Sequence, residues 1–441
     1  MKKCIFTFME RIATTELIKW KRNPDRKPLL IRGARQVGKT WLIKDFGKRE
    51  YEQIAYVNLE SSKSLQAVFS EDFDVRRIIT ALKIETGVNI EPTNTLIVFD
   101  EIQEAKGGLT SLKYFQENAP EYHIIAAGSL LGVALGKQTS FPVGKVDFLD
   151  LYPMSFSEFL IALEENDLLD LLESEDWVLI KTFSSKFIQL LKQYYYIGGM
   201  PEAVLRFSKN ADFNEVRQIQ KRILDAYEQD FSKHAPHEIV PRIRMLWNSI
   251  PAQLAKENKK FIYGIIKQGA RAKDYELAMS WLVDCGLVHK ISRVTKPAIP
   301  LKAYEDLSAF KLFVVDVGLL CAMVDVDVKT LLEGNNLFEE FKGALTEQFV
   351  IQQLILLKEM STYYWSAEKA TAEIDFLVQF SGQIIPIEVK AEENLKAKSL
   401  KLFCQKYKPT TAIRTSMSNF RKEDWLLNLP LYAISNLLKV K

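Results

Sequence analysis

Short apolar runs alternate with helix-like stretches in the first third of this chain. Four runs between residues 27 and 152 are almost entirely apolar: 29–31, 54–57, 96–99 and 124–127. Each run has the length of a buried strand, and the intervals between the runs are long enough for helices. Strands that alternate with helices are typical of a parallel sheet covered by helices. We therefore predict an α/β domain over residues 1–153.

The pattern changes twice further along the chain. Between residues 155 and 290 the apolar residues follow helical spacing, which predicts an α-rich region over 154–333. One example of this spacing is the set Ile188, Leu191, Tyr194 and Tyr195. After residue 334, a helix-like stretch precedes three strand-like runs, at 362–365, 374–380 and 384–389. These elements predict a small α+β domain over 334–441.

The composition is that of a folded, water-soluble protein. Hydrophobic residues make up 47% and charged residues 26% of the 441 positions, and the net charge is only +3. That charge is too small to hold the whole surface on nucleic acid, so any such binding must be local. The apolar run over 310–324 is interrupted by Lys311 and Asp316, and no run reaches the ~20 residues of a membrane span. We expect no membrane partner.

The cysteines and histidines show no disulfide or metal pattern. The four cysteines are scattered singly, at Cys4, Cys285, Cys321 and Cys404. This spacing favours a protein of the reducing cytoplasm over a secreted disulfide framework. His234 and His237 have neither a cysteine nor a second histidine pair to complete a ligand set, so we expect no metal site there.

A phosphate-binding loop is the strongest motif in the chain. It follows the run 29–31, precedes a helix-like stretch and fits the pattern GxxxxGK[ST]. Its residues are Gly33, Ala34, Arg35, Gln36, Val37, Gly38, Lys39 and Thr40. The glycines let the backbone N–H groups surround phosphate oxygens at the positive end of the helix. We expect Lys39 to reach the β and γ phosphates of ATP and Thr40 to give its hydroxyl to Mg²⁺.

Two carboxylates follow the third apolar run. Asp100 and Glu101 come directly after 96–99, at the strand end that would face the phosphates. There Asp100 could hold Mg²⁺ through water, and Glu101 could take a proton from the attacking water. A surface Asp-Glu pair after a core strand is the alternative. Ser129, which follows the run 124–127, either contacts the γ phosphate or the attacking water or caps the next helix.

These motifs resemble the AAA+ branch of the additional-strand P-loop ATPases. With LYPMSFSEF at 151–159 and YYYIGGMPEAV at 194–204, the segment GARQVGKT is similar to predicted bacterial and archaeal ATPases that pair an AAA+ module with an uncharacterised C-terminal domain. The resemblance implies an additional strand between the strands of the two motifs. Members usually carry Gly-Arg before the strand leading to the PxSF segment. Here Gly144-Lys145 stands in its place, and lysine lacks the bidentate fork of an arginine finger.

The middle region contains a glycine-rich segment between two helical patterns. Gly198 and Gly199 break the first pattern, and Pro201 is positioned to begin the second helix. This predicts a tight turn between helices, and a nucleotide-sensing contact is the alternative.

A second segment of the middle region resembles a winged helix. A helix over 274–287 precedes strand-like segments at 288–291 and 313–315, and such a helix could enter a major groove of DNA. Basic residues near enough to contact phosphates are Arg271, Lys273, Lys290 and Arg293. Glu276 and Asp284 on the same helix would repel DNA, and winged helices also bind proteins.

Two carboxylates are predicted to face each other in the last domain. If Ser381-Gly382 forms a two-residue hairpin loop, Asp375 lies opposite Glu388 on the neighbouring strand. Opposed like charges destabilise a sheet unless a cation lies between them, and a divalent metal is the obvious candidate. The alternative is an edge hairpin whose charged face lies in water.

Further residues extend this pair into a larger set. Glu347 on the preceding helix could supply a third oxygen to the metal, and Lys390 could orient a water or steady developing charge. The set resembles the PD-(D/E)xK nuclease superfamily, which has a restriction-endonuclease-like fold, although Ile374 stands where the motif has proline. Five lysines then follow in one helical segment, either as a basic face against phosphates or as solvated side chains: Lys396, Lys398, Lys401, Lys406 and Lys408.

Two functional hypotheses follow. The first is a cytoplasmic AAA+-type ATPase that uses ATP and Mg²⁺ to control a nuclease-like domain, which binds or cleaves nucleic acid, with DNA favoured over RNA. The second is an ATP-dependent switch whose inert C-terminal domain binds a protein partner. A homo-oligomer is compatible with either hypothesis.

Overall fold

The structure is a computed structural model of the chain. It describes residues 10–129, 131–136, 142–256, 259–333, 339–367, 372–392 and 397–439. The described chain divides into two compact units. The first unit consists of Glu10–Pro153 with Trp281–Leu287, and the second contains Met154–Ser280 and Val288–Lys441.

Five parallel strands form the sheet of the first unit. They are β1 (Leu29–Arg32), β2 (Gln53–Asn58), β3 (Thr95–Asp100), β4 (His123–Ala127) and β5 (Asp147–Asp150). Their order is β2-β3-β4-β1-β5, and each neighbouring pair is parallel. The predicted α/β fold is therefore confirmed, and the four predicted runs are β1 to β4. Because β4 lies between β1 and β3, the sheet also has the additional strand that the resemblance implies.

Helices pack on this sheet through apolar faces. They are α1 (Ala13–Arg22), α2 (Lys39–Glu50), α3 (Lys63–Glu71), α4 (Val75–Thr86), α5 (Gly108–Asn118) and α6 (Leu131–Gly136). The side chain of Asp74 caps the start of α4, and Gly87 ends that helix in the left-handed conformation. Ile78 of α4 and Phe115 of α5 belong to the same buried cluster as Phe99 of β3. Burial of these faces holds the helices on the sheet.

The second unit begins with a series of helices. They are α7 (Phe156–Ala162), α8 (Asn166–Ser174), α9 (Trp177–Thr182), α10 (Ser184–Ile197), α11 (Pro201–Asn210), α12 (Phe213–His234), α13 (Val240–Leu254), α14 (Tyr263–Ile266) and α15 (Ala272–Asp284). The residues of α15 from Trp281 onward belong to the first unit. Later helices are α16 (Val317–Met323), α17 (Val328–Glu333), α18 (Glu339–Leu354) and α19 (Lys398–Tyr407). Across the residues that the structure describes, we find no helix with the length and apolar character needed to cross a bilayer.

An eight-stranded sheet completes the second unit. Its strands are β6 (Val288–Val294), β7 (Glu305–Val314), β8 (Ser361–Ser366), β9 (Glu373–Phe380), β10 (Gln383–Val389), β11 (Ile413–Ser416), β12 (Arg421–Glu423) and β13 (Leu426–Pro430). The order is β12-β13-β11-β10-β9-β8-β6-β7. The three strand-like runs predicted for the last domain are β8, β9 and β10. The two strands predicted for the winged helix are β6 and β7, and β6 pairs with β8, so one sheet crosses the predicted boundary at residue 334.

The glycine-rich segment forms the tight turn that we predict. Helix α10 ends at Ile197, Gly198 has a φ of +74°, and Pro201 is the first residue of α11. The N–H of Gly199 donates to Asp316 Oδ2 over 2.6 Å, and its carbonyl accepts from the N–H of Met154 over 2.7 Å. A Cβ atom at Gly199 would lie 2.1 Å from the Met154 carbonyl oxygen, so only glycine fits this approach. Contacts within the second unit thus account for the glycines.

Buried glutamines fix the position of α18. Gln348 accepts from the N–H of Val314 and donates to its carbonyl, over 2.9 and 2.6 Å. Gln352 donates to Asp316 Oδ2 and accepts from the N–H of Val317. These bonds satisfy buried backbone groups at the end of β7 and at the start of α16. They also set the position of Glu347, which lies on the same helix.

Candidate functional site

The phosphate-binding loop connects β1 to α2 in the first unit. Gly33 has a φ of +149°, and a Cβ atom there would lie 2.1 Å from the carbonyl oxygen of Leu151. Gly38 directly precedes α2 in the left-handed conformation, and Gln36 also has a positive φ, of +65°. The two motif glycines therefore occupy positions where a side chain would strain or block the loop.

A buried arginine supports this loop from outside the motif. Arg11 donates from Nη1 to the carbonyl of Val37 over 2.9 Å and from Nη2 to the carbonyl of Tyr152 over 2.7 Å. It is only 4% exposed. No motif surrounds Arg11, so sequence reasoning missed it.

The ammonium of Lys39 lies inside the loop. Its Nζ atom donates to the carbonyl oxygens of Gly33 and Ala34, both over 2.8 Å. Burial lowers the pKa of Lys39 to about 8, against the opposing charges of Glu101 and Asp100. The positive charge of Arg35, which is partly exposed, also lowers the pKa of Lys39. The loop thus holds a cation close to its own carbonyls and to two carboxylates.

Asp100 ends β3 beside the first turn of α2. Its Oδ2 atom accepts from the Thr40 hydroxyl over 2.7 Å and from the Tyr56 hydroxyl over 2.8 Å. Its Oδ1 atom accepts from the N–H of Glu101 over 3.2 Å. Burial, followed by the bond to Asp100, raises the pKa of Tyr56 above its ordinary value. The hydroxyl of Thr40 and the carboxylate of Asp100 are oxygen ligands of the kind that Mg²⁺ prefers.

Glu101 contacts Ser129, which follows the end of β4. Its backbone is left-handed, with a φ of +51°. Its carboxylate accepts from Gln103 Nε2 over 2.6 Å and from the N–H and hydroxyl of Ser129, each over 3.3 Å. Gly128 makes room for this arrangement, because a Cβ atom there would lie 2.0 Å from Gln103 Oε1. Sequence reasoning named Ser129 but missed Gln103, which follows the motif by two residues.

Lys145, which stands where the resemblance implies an arginine, forms an ion pair. Lys145 Nζ lies 3.0 Å from Glu117 Oε1. Gly144 before it has a φ of +70°, and among the described residues nothing lies within 4 Å of the place that a Cβ atom would take. Within the first unit, Lys145 therefore belongs to a surface ion pair.

The hairpin of the last third has the predicted register. Ser381 and Gly382 form its loop with φ values of +46° and +74°, as a type I′ turn requires. Phe380 pairs with Gln383, and Phe376 pairs with Ile387.

The carboxylates near this hairpin face a buried lysine. Lys311 of β7, which is fully buried, forms an ion pair with Glu373, and its Nζ lies 3.5 Å from Glu347 Oε2 and 4.0 Å from Asp375 Oδ1. Lys259 Nζ lies 2.5 Å from Glu347 Oε1. Burial acts to lower the pKa of Lys311, but the three carboxylates together raise it above its ordinary value. Two lysines thus place positive charge beside the carboxylates of the predicted metal set.

The two carboxylates of the hairpin have separate partners. Asp375 Oδ2 accepts from the N–H of Val389 over 2.7 Å, and burial raises the pKa of Asp375 to about 7. Glu388 pairs with Lys390 over 2.7 Å and accepts from the N–H of Leu400 over 3.3 Å. Across the described part of the chain, no group of three or more His, Cys, Asp or Glu side chains is arranged to hold a metal. Lysines contact Glu347, Asp375 and Glu388, and the metal set stays a prediction.

Three of the lysines after the hairpin lie on α19, and Lys408 directly follows that helix. Those with exposed side chains are Lys398, Lys401, Lys406 and Lys408, while Lys396 lies outside the described residues. No Asp or Glu occurs in the sequence between Glu392 and Glu423 apart from Glu393. This segment therefore presents positive charge without acidic residues of its own.

Three segments of the chain match known families. Residues 25–160 match the AAA domain, residues 188–330 match a domain of unknown function (DUF8612), and residues 342–433 match a second domain of unknown function (DUF4143). Among curated proteins, no sequence matches this chain. The AAA match covers the loop, Asp100, Glu101 and Ser129. With the parallel five-stranded sheet, it supports an AAA-type P-loop ATPase module in the first unit.

Solved structures similar to this chain are distant in sequence. The Walker-type ATPase PABY2304 of Pyrococcus abyssi is 14% identical, over 71% of this chain and 94% of that chain, with a TM-score of 0.45. The ORC1 protein of Aeropyrum pernix, solved in complex with DNA, is 13% identical over 71% and 90%, with a TM-score of 0.29. The RuvB Holliday junction branch migration motor of Thermotoga maritima is 13% identical over 69% and 92%, with a TM-score of 0.30.

Proposed function

We propose that the first unit binds ATP with Mg²⁺ and hydrolyses it. The observation that carries this proposal is the 2.7 Å contact between Thr40 Oγ1 and Asp100 Oδ2, beside the buried ammonium of Lys39. A hydroxyl, a carboxylate and a cation at one end of a parallel sheet are the groups that Mg²⁺ and phosphate oxygens need. Mg²⁺ bound there would neutralise charge on the phosphates.

Each residue of this site has a distinct role in the proposal. The loop N–H groups and Lys39 bind phosphate oxygens, and Thr40 with Asp100 holds Mg²⁺. Glu101 accepts a proton from the water that attacks the γ phosphorus, while the bond to the bridging oxygen breaks and ADP leaves with that electron pair. Ser129 orients Glu101, or contacts the γ phosphate in the nucleotide-bound state.

Release of phosphate from ATP tests this proposal. The wild-type protein should release phosphate when Mg²⁺ is present, and Lys39→Ala should abolish the release. Lys48→Ala is a matched control, because Lys48 is an exposed lysine of the same helix. It should keep the wild-type rate. Equal rates in the wild type and Lys39→Ala would overturn the assignment of the loop.

We further propose that the nucleotide state controls binding of nucleic acid by the second unit, with DNA preferred to RNA. The exposed lysines of α19 and the absence of acidic residues within that helix support this, since phosphate contacts supply most of the affinity for nucleic acid. The pairing of Lys311 with three carboxylates favours a domain that binds over one that cleaves. The alternative is a switch whose second unit binds a protein partner.

Binding of labelled DNA and RNA at several salt concentrations separates these alternatives. The double variant Lys398→Glu/Lys401→Glu should bind DNA more weakly, and the slope of affinity against salt should fall by about 2. A control with the same change in charge is Lys181→Glu/Lys209→Glu, which alters exposed lysines of α9 and α11. If the wild type retains neither nucleic acid at low salt, the protein-binding switch is the better account.

Cleavage requires its own experiment. Labelled DNA and RNA are incubated with the protein in Mg²⁺ or Mn²⁺, alongside Asp375→Ala. We expect no cleavage above background. Cleavage that Asp375→Ala abolishes would show that the second unit is a nuclease, whereas cleavage that the variant leaves unchanged would come from a contaminant.

A further inference from the structure

We infer that Tyr56 is a positioning residue that orients Asp100 for Mg²⁺ binding, an inference that rests on the proposed ATPase function. Its hydroxyl donates to Asp100 Oδ2 over 2.8 Å, and the same oxygen accepts from the Thr40 hydroxyl over 2.7 Å. Neither the phosphate-loop pattern nor the carboxylate pair includes a residue of β2.

Strand pairing brings Tyr56 to this position. Strand β2 lies parallel to β3 at the edge of the sheet, and Asn58 pairs with Asp100. Tyr56 precedes Asn58 by two residues, so its side chain lies on the same face of the strand as that of Asn58. Its long side chain reaches along the strand to the carboxylate. The hydroxyl of Tyr56 therefore approaches Asp100 from β2, whereas that of Thr40 approaches from α2.

The two hydroxyls both donate to the same oxygen of the Asp100 carboxylate. A carboxylate oxygen has two lone pairs, and the hydroxyls of Thr40 and Tyr56 occupy both lone pairs of Oδ2. Oδ1 accepts the longer bond from the N–H of Glu101, over 3.2 Å, and keeps a second lone pair. Oδ1 would then be the oxygen that could accept a hydrogen bond from a water on Mg²⁺. Tyr56 would thereby determine which oxygen of Asp100 is available to the metal.

A second contact holds the tyrosine ring in place. Lys44 Nζ of α2 lies 3.8 Å from the centre of the ring, a distance at which a cation and an aromatic ring attract each other. Lys44 follows Thr40 by one helical turn. We therefore expect the ring to stay in position when the hydroxyl is removed, so that Tyr56→Phe deletes one hydrogen bond without deleting the packing.

Magnesium titration of Tyr56→Phe tests this inference. ADP binding is measured by calorimetry at several Mg²⁺ concentrations and in EDTA, and ATPase activity is measured over the same range. The half-saturating Mg²⁺ concentration should rise by about tenfold, as is typical when a partner of a metal ligand is lost. ADP affinity in EDTA should not change, and saturating Mg²⁺ should restore the rate.

Tyr51→Phe is the matched control. Tyr51 lies in the same unit, and its hydroxyl is hydrogen-bonded to His123 Nδ1 over 2.7 Å. This variant also loses one tyrosine hydroxyl, but it should keep the wild-type dependence on Mg²⁺. Equal shifts in both variants, or no shift in Tyr56→Phe, would overturn the inference. If the wild type itself binds ADP equally well with Mg²⁺ and with EDTA, the proposed metal site of the ATPase fails instead.

Discussion

The hydroxyl of Thr40 donates to Asp100 Oδ2 over 2.7 Å, although the two residues are 60 positions apart in the chain. Thr40 lies in the first turn of α2 and Asp100 at the end of β3. The strands that precede the two residues, β1 and β3, are not neighbours in the sheet, because β4 lies between them. The sheet order therefore brings the two motifs of the site together.

Asp100→Asn should remove the Mg²⁺-dependent part of nucleotide affinity. The amide keeps the shape of the side chain but loses the negative charge that attracts the metal. We expect ADP affinity in Mg²⁺ to fall about tenfold or more, and ADP affinity in EDTA to stay constant. Calorimetry measures both. Asp45→Asn is the control, because Asp45 is another carboxylate of the same unit and forms an ion pair with Arg49 on α2. A normal response to Mg²⁺ in Asp100→Asn would exclude Asp100 as the metal-binding carboxylate.

Gly33→Ala should damage the loop more than a comparable change elsewhere. At Gly33 the new Cβ atom would lie 2.1 Å from a backbone oxygen, whereas at Gly87 none of the described residues lies within 4 Å and only the φ of +69° is unfavourable. We expect Gly87→Ala to cost about 1 kcal/mol of unfolding free energy. Gly33→Ala should cost about 2 kcal/mol or more and also weaken ADP binding. Chemical denaturation compares the two variants, and equal losses would contradict the crowding at Gly33.

Nucleotide affinity should decrease as pH rises past 8. Burial lowers the pKa of Lys39 to about 8, so its ammonium is lost within an accessible range. Bound phosphate favours the ammonium, so binding takes up a proton above that pKa and weakens as pH increases. The association constant for ADP should fall about tenfold between pH 7 and pH 9.

Lys39→Arg provides the control for this pH dependence. A guanidinium stays charged throughout the range, so the variant should show little change in affinity between the two pH values. If ADP affinity falls equally with pH in the wild type and in Lys39→Arg, the titrating group is not Lys39.

Lys311→Met should destabilise the second unit strongly. The substitution leaves Glu347, Glu373 and Asp375 without the buried cation that lies among them. Breaking a buried ion pair in this way costs about 3 to 5 kcal/mol. Lys290→Met, at an exposed position, should cost far less. Denaturation of the second unit measures the difference, and similar losses in the two variants would show that Lys311 is not needed to neutralise the carboxylates.

The cost of Lys311→Met should depend on pH. The charge of Lys311 lowers the pKa of Asp375, so without the lysine that pKa in the folded state should lie further above its unfolded value. The destabilisation is then present above the folded pKa of Asp375 and decreases as this carboxyl takes up a proton. The pKa of Asp375 is already raised to about 7 in the wild type. The loss of unfolding free energy caused by Lys311→Met should therefore be smaller at pH 5.5 than at pH 8. A larger loss at pH 5.5 would contradict this direction of the pH dependence.

Local signals made much of the fold predictable. The phosphate loop and the two-residue hairpin at Ser381-Gly382 are written in consecutive residues, and both have the predicted geometry. The positions of Asp100 and Glu101 were predictable, because both residues directly follow a buried apolar run and must therefore lie at the end of that strand. In each case the residues that set the structure are neighbours in the chain.

Contacts that depend on sheet order were not predictable. Tyr56 reaches Asp100 because β2 pairs with β3, and Arg11 reaches the loop from a segment without a motif. The sequence did mark Lys311 and Asp316 as charged interruptions of an apolar run, but that pattern does not identify their partners. Both side chains are fully buried. Lys311 lies beside the three carboxylates, and Asp316 accepts a hydrogen bond from the N–H of Gly199 in the glycine turn. Such pairings follow from tertiary packing, which periodicity does not encode.

The most direct test of the central claim is the nucleotide that each variant retains. Glu101→Gln, Lys39→Ala and wild-type protein are mixed with ATP and Mg²⁺, freed of unbound nucleotide and analysed for ATP and ADP. Glu101→Gln should retain intact ATP, the wild type should convert it to ADP, and Lys39→Ala should retain neither. Conversion of ATP by Glu101→Gln at the wild-type rate, or retention of ATP by Lys39→Ala, would contradict the account.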